Sequence, residues 1–240
     1  MNRIKIGKNL ISYKQHKFDQ SSHTILFLHG LMSDMNGSKS TAIEEYAINN
    51  KINFVAFDNL GHGNSSGEFT ENNISTWLAT TLDFIKELKL KNIILIGSSM
   101  GGWLALLISL LNMEEINSLI LIAPAPDFTE KIKSRLSNSE LDLIENGSIL
   151  TSNYAFPISK KLLDAEENLI LLKDKLEINV PVIIIHGKED SEVDWKISEI
   201  LTEKIISPYL CTKYVKYGNH RLSTVEDINL ILNSITELKN

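Results

Sequence analysis

The stretch Asn92-Ile93-Ile94-Leu95-Ile96-Gly97-Ser98-Ser99-Met100-Gly101-Gly102-Trp103-Leu104-Ala105-Leu106-Leu107 decides how this chain is to be read. The apolar run at 92–96 reads as a buried strand and the run from Gly102 onward as a helix. Between them Ser99 stands centrally in Gly97-Ser98-Ser99-Met100-Gly101. A tight strand-to-helix turn pushes its central side chain out of the sheet, and flanking glycines leave space where side chains would collide. With 12 glycines among 240 residues, this spacing is expected by accident only about 0.06 times, so it calls for an explanation. A capping serine in a glycine-rich turn is one. An exposed serine poised for acyl transfer is the other.

Working outward, short apolar runs recur at 23–28, 54–57, 119–122 and 181–185, with longer helical patterns between them. Continuous Ile, Leu and Val runs suit strands buried on both faces of a parallel sheet, with helices as crossovers. Helices are expected near 38–50, 75–90, 100–112, 194–206 and 225–238. Residues 2–6 and 10–15 are expected to open the sheet as a hairpin, because Gly7-Lys8-Asn9 supplies tight-turn residues. The segment 125–178 breaks the rhythm. It carries two or three helical patterns and no convincing buried strand, and reads as a cap inserted into a single domain, over the carboxyl edge of the sheet. The fold class is therefore α/β, with a mostly parallel central sheet, helices on both faces and a small helical cap.

Composition narrows the function. Hydrophobic residues make up 43% and charged residues 22%, as in an ordinary folded domain. A net charge of −6 leaves no basic footprint for nucleic acid. Lys131, Lys133 and Arg135, and Lys86, Lys89 and Lys91, fit solvated faces. No stretch reaches the roughly 18 apolar residues of a membrane helix. Cys211 is the only cysteine, which excludes an intrachain disulfide and reads as a buried, inert thiol in the strand-like run 209–215. Met1 to Lys8 lacks an apolar signal core, so cytoplasmic residence is the expectation. Nothing sets an oligomeric state.

A serine hydroxyl is a poor nucleophile at neutral pH, so Ser99 needs a base, and the base needs an acid to fix its tautomer. After a serine turn of this kind the acid and histidine follow in chain order. Only His186 and His220 follow Ser99. His186 ends a strand that presents a carboxylate, which leaves His220, in a loop before the last helix, as the base. Asp190 is chosen as acid because it lies just beyond the strand at 182–185. Glu189 and Asp194 compete; Asp194 also fits a helix N-cap before Trp195. Asp127, beyond the preceding strand, is a further candidate. The backbone N–H groups of Met100 and Leu31 are the expected oxyanion donors, with Gly30 letting the loop after residues 24–28 approach closely. His29 reads as a packing residue.

Asp58-Asn59-Leu60-Gly61-His62-Gly63-Asn64-Ser65-Ser66-Gly67 lacks the Gly-Lys-Ser/Thr ending of a phosphate loop. It reads as a shaped loop at the rim of the site. His16, His23, His29 and His62 have no metal-ligand spacing. No metal or organic cofactor is implied. Met32, Met35, Trp103, Leu150, Tyr154 and Phe156 are candidates for an apolar acyl pocket.

These residues resemble the α/β-hydrolase superfamily, through His29-Gly30, Asp58 to Gly67, the turn at 97–101, His186-Gly187-Lys188-Glu189-Asp190, and His220. The stretches 31–39, 42–45 and 97–103, with Asn219-His220-Arg221, are more specifically similar to the mitochondrial acyl-protein thioesterase and acyl-glucuronide esterase branch. The resemblance implies a Ser99, Asp190 and His220 triad and cleavage of esters or thioesters, with a small molecule or acyl-protein as substrate. Relatives often carry Val-Pro after the acid where this chain has Val193-Asp194. An amidase, a lactonase, a carbon–carbon bond hydrolase or a catalytically silent binding protein would share the same framework.

Overall fold

The computed structural model describes residues 1–152 and 154–239. In chain order the elements are β1 (Asn2–Ile6), β2 (Asn9–His16), β3 (Thr24–Leu28), α1 (Ser38–Asn49), β4 (Asn53–Phe57), α2 (Ile74–Glu87), β5 (Ile93–Ser98), α3 (Met100–Leu110) and β6 (Ile116–Ile122). Then come α4 (Phe128–Lys133), α5 (Asn138–Glu145), α6 (Lys160–Leu163), β7 (Leu176–Glu177), β8 (Val182–Gly187), α7 (Lys196–Lys204), β9 (Ile205–Ile206), β10 (Leu210–Val215) and α8 (Val225–Lys239).

Eight strands form one sheet in the order β1-β2-β4-β3-β5-β6-β8-β10. β2 pairs antiparallel with β1 and β4, and the remaining pairs are parallel. The period of two in each central strand divides the core. Leu26, Leu28, Leu95, Leu119, Leu121 and Ile184 pack on the face covered by α2 and α3. Ile25, Phe27, Ile94, Ile96, Ile120 and Ile183 pack on the face covered by α1 and α8. Both faces are apolar because each is covered by helices.

From β3 the chain crosses through α1 to β4 on one side, then returns to place β5 on the other. The carboxyl ends of β3 and β5 therefore flank the point where strand order reverses, the usual place for a ligand in an open α/β sheet.

Between β6 and β8 the chain forms α4, α5, α6 and the 3₁₀ turn Glu167–Leu169. Leu136, Ile144, Ile158 and Leu163 make a small core of their own. The segment is tied to the main body: Trp103 Nε1 donates to the Leu169 carbonyl at 3.0 Å, Ser159 Oγ to Thr70 O at 2.7 Å, and Asn73 Nδ2 to Asp164 O at 2.7 Å.

Several local expectations need correcting. The segment does hold a strand, the two-residue β7, which pairs with β9 where the helix at 194–206 was expected to continue. Such a short pair is specified by its distant partner, not by its own sequence. Cys211 is half-buried, because β10 is an edge strand. Met35 and Trp103 are fully buried and pack within the two cores. Leu150, Tyr154 and Phe156 pack against the small core between β6 and β8, while Met32 is 55% exposed.

Candidate active site

Ser99 joins β5 to α3 with φ 55° and ψ −117°, a conformation costing about 1–3 kcal/mol for a residue with a Cβ. Three close approaches to glycine surround it. A Cβ on Gly97 would lie 2.2 Å from Gly101 O, one on Gly101 would lie 2.2 Å from Leu28 O, and one on Gly102 would lie 2.9 Å from Pro124 Cβ. The turn is locked by Ser99 N–H donating to Ile122 O at 2.9 Å, and by Ser99 O accepting from Gly102 N at 2.8 Å and Ala125 N at 3.1 Å. Complete burial of Met100, Trp103 and Leu104 directly behind it is worth about 1.5–3 kcal/mol per large side chain, which outweighs the strain.

A second glycine pair assembles the rest. A Cβ on Gly187, at the end of β8, would lie 2.1 Å from Gly218 O, so the two backbones touch. The Glu189 N–H donates to the same carbonyl at 2.9 Å. Asn219 Oδ1 accepts from the N–H of Arg221 at 3.0 Å, and Lys39 Nζ donates to the Arg221 carbonyl, which ties the loop to α1. Through these contacts His220 Nδ1 lies 2.7 Å from Asp190 Oδ2, and His220 Nε2 lies 3.0 Å from Ser99 Oγ. A carboxylate only accepts, so Nδ1 carries the hydrogen and Nε2 is left to accept from the serine hydroxyl. The Asp190 side chain is fully buried and that of His220 is 13% exposed.

Burial alone would push the Asp190 carboxyl up, but hydrogen bonds from His186, His220 and the Val193 N–H outweigh it and hold it well below the usual carboxylate range. One of its partners, His186, is one that the sequence did not point to, and His186 in turn has a partner of its own. His186 Nε2 lies 3.1 Å from Asp190 Oδ2, and His186 Nδ1 lies 2.6 Å from Ser198 Oγ on α7. A carboxylate four residues past a histidine was the available signal, but the turn that folds it back is tertiary. Glu192, 64% exposed, places Oε2 3.8 Å from His220 Nε2.

The competing acids are placed elsewhere. Glu189 is exposed beside Asp190. Asp194 Oδ1 accepts the Lys196 N–H at 3.0 Å, at the start of α7. Asp127 is buried, and its carboxylate accepts the N–H groups of Leu171 and Leu172. Burial pushes its carboxyl up despite these two bonds.

Gly30 follows β3, and a Cβ there would lie 3.2 Å from Ser99 Cβ and 3.8 Å from Ser99 Oγ. The loop carrying Leu31 thus passes directly over the serine. Met100 is the first residue of α3, so its N–H has no carbonyl within the helix to bond. Asp58, fully buried, fixes the loop: Oδ1 accepts Met35 N–H and Oδ2 accepts Asn64 N–H, both at 2.8 Å. His29 packs beneath it, accepting the Asn59 N–H at Nε2 (3.0 Å) and donating from Nδ1 to Gly30 O (2.7 Å). The Asn59 side chain and His62 Nε2 are buried without a partner among the described residues. Burial lowers the basicity of both rings, and His62 is brought to about 4 with His29 nearby as a further cause. No group of three or more metal-binding side chains occurs among the described residues.

This serine, imidazole and carboxylate line stands in a chain with recognisable kin. The serine aminopeptidase S33 family model matches residues 19–146. The mitochondrial palmitoyl-protein thioesterase ABHD10 of Mus musculus is 30% identical over 220 residues, covering 89% of this chain and 74% of that protein. The solved structure of mouse alpha/beta hydrolase domain-containing protein 10 superposes with a TM-score of 0.89 at 29% identity, covering 99% of this chain and 97% of the other. A crystal structure of a protein from Agrobacterium vitis S4 gives 0.90 at 27% identity, with coverage of 99% and 97%.

Proposed function

Because the chain belongs to the serine aminopeptidase S33 family of α/β-hydrolases, in the branch of ABHD10, we propose that it is a serine hydrolase cleaving ester or thioester bonds of acyl substrates through an acyl-enzyme. The observation that carries this reading is the unbroken line from Ser99 Oγ to His220 (3.0 Å) to Asp190 (2.7 Å). Ser99 Oγ attacks the acyl carbonyl while His220 Nε2 takes its proton. Asp190 keeps the imidazole in the accepting tautomer and stabilises its cation. The Leu31 and Met100 N–H groups hold the oxyanion, each contributing about 100- to 1,000-fold in rate. His220 then protonates the departing oxygen or sulfur, and water releases the acid by the reverse sequence.

The relatives are named palmitoyl-protein thioesterases, which supports an acylated protein or a small acyl ester as substrate. In this reading residues 125–178 form a cap over the single domain and select the acyl group. The family model is named for a serine aminopeptidase, so amide cleavage is the second reading.

The test is fluorophosphonate labelling of wild type and Ser99→Ala, with a panel of p-nitrophenyl esters, acyl-thioesters and aminoacyl p-nitroanilides. Label on Ser99 and turnover of esters or thioesters is expected. Faster p-nitroanilide turnover would favour the amidase, and equal activity in Ser99→Ala would remove the mechanism.

A further inference from the structure

The Asp190 carboxylate has four donors, and only one is the proposed base. Oδ1 accepts the backbone N–H groups of Glu192 (2.9 Å) and Val193 (2.8 Å), both from its own loop. Oδ2 meets His220 Nδ1 at 2.7 Å and His186 Nε2 at 3.1 Å. The His186 Nε2 also lies 3.2 Å from Val193 O. With two acceptors in front of it, Nε2 must carry the hydrogen. Nδ1 is then an acceptor for the Ser198 hydroxyl at 2.6 Å. All of this is inside the protein, since the His186 and Asp190 side chains have no exposed surface.

We propose that His186 is a positioning residue, which holds Oδ2 of Asp190 in line with His220 while Ser198 selects the tautomer that donates. This inference rests on the Ser99, His220 and Asp190 reading above. The physical case is one of rigidity. Both bonds to Oδ1 move with the loop, so by themselves they let the carboxylate pivot about that oxygen. His186 projects from β8, paired on both sides by β6 and β10, and so references Oδ2 to the sheet. Sharing one oxygen between two imidazoles weakens each bond somewhat, but it leaves the buried carboxylate fully satisfied and ionised. A further titratable group, Glu192, lies on the solvent side of His220, 3.8 Å from Nε2.

A ring that merely filled space would behave differently. His186→Leu keeps volume without a donor, whereas His186→Gln keeps an N–H near the Nε2 position. The measurements are kcat and KM on a p-nitrophenyl ester, the fluorophosphonate labelling rate of Ser99, the thermal midpoint, and the low-field proton resonance of His220 Nδ1–H.

We expect His186→Leu to lower kcat and labelling about 10- to 100-fold, by analogy with the outer-shell partners that orient metal-binding histidines. KM should stay within about threefold and the resonance should shift or broaden, with His186→Gln restoring most of the rate. Should the leucine variant fail to fold, Ser198→Ala carries the comparison, with a fall of a few-fold in kcat expected. Unchanged rate and resonance in His186→Leu, or in Ser198→Ala if that variant must stand in, would overturn the proposal. Equal impairment by leucine and glutamine in step with lost stability would do the same. An unlabelled wild type would instead sink the hydrolase reading, and the resonance would still decide whether His186 fixes the Asp190 and His220 pair.

Discussion

Gly187 and Gly218 touch backbone to backbone, with a Cβ at Gly187 placed 2.1 Å from the Gly218 carbonyl oxygen. The loop bearing Asp190 and the loop bearing His220 are registered against each other by this contact. Gly187→Ala must push them apart, since neither partner is a flexible side-chain end. Overpacking of this kind costs about 1–3 kcal/mol. A lower thermal midpoint and at least a tenfold slower labelling of Ser99 are expected, read by calorimetry and by probe kinetics. Wild-type labelling in a stably folded Gly187→Ala would show that the contact does not set the site.

Asp58 acts on the opposite side of Ser99. Its carboxylate is the hydrogen-bond partner of Met35 N and Asn64 N, so Asp58→Ala strands two N–H groups at a cost of about 1–3 kcal/mol each. The loop from Gly30 to Met35 loosens, and the oxyanion donor proposed at Leu31 loses its aim. The measurable consequence is a lower kcat on p-nitrophenyl esters with KM little changed. An equal loss in both parameters would mean that substrate binding, not oxyanion support, depends on Asp58.

Stability should fall as pH drops below about 6.5. His62 has its folded basicity lowered to about 4 by burial, and His29 is lowered by burial too. For His62 the unfolded chain then binds more protons than the native one between about pH 4 and 6.5, so protonation there favours unfolding at up to about 1.4 kcal/mol per pH unit, and His29 acts in the same direction. Asp190 and Glu44, held low in the fold, add their own loss only further down, nearer the ordinary carboxylate range. Urea midpoints at pH 7.5, 6.0 and 5.0 will show the slope, and His62→Phe should reduce it. A flat profile above pH 5 would contradict the burial argument.

Glu192 Oε2 lies 3.8 Å from His220 Nε2, the nitrogen proposed to protonate the leaving group. Because it is 64% exposed, its effect is modest and screened by salt. Glu192→Gln should raise kcat/KM several-fold for thioesters with anionic leaving groups relative to neutral ones. The difference should vanish at about 1 M salt, where the Debye length falls to about 3 Å. A salt-independent ratio would point to shape and not charge.

How much of this was legible in the chain follows the distance over which each feature is specified. The strand at 92–96, the turn at 97–101 and the helix after it are written in adjacent residues, and β5 and α3 form there. The hairpin around Gly7 is likewise local, with β1 and β2 in the expected places and Gly7 at φ 58°. The β7 and β9 pair was not legible, because two residues at each end carry no pattern until they meet. Met35 and Trp103, each favoured singly as packing, were still open as pocket residues, since composition does not say which face of an element meets solvent. His186 read only as the end of a strand, because its second partner, Ser198, sits on a different element.

From the sequence alone came the serine on its strand-to-helix turn, the alternation of buried strands and helices, and a short roster of acids and bases. All are consequences of steric and hydrophobic rules acting between near neighbours. Tertiary structure alone decided which acid points inward and that its Oδ2 is shared by two imidazoles. Asp190 and His220 are 30 residues apart and Ser99 and His220 are 121 apart, so their meeting depends on bare glycine backbones packing loop against loop. Only the folded chain brings those distant backbones into contact.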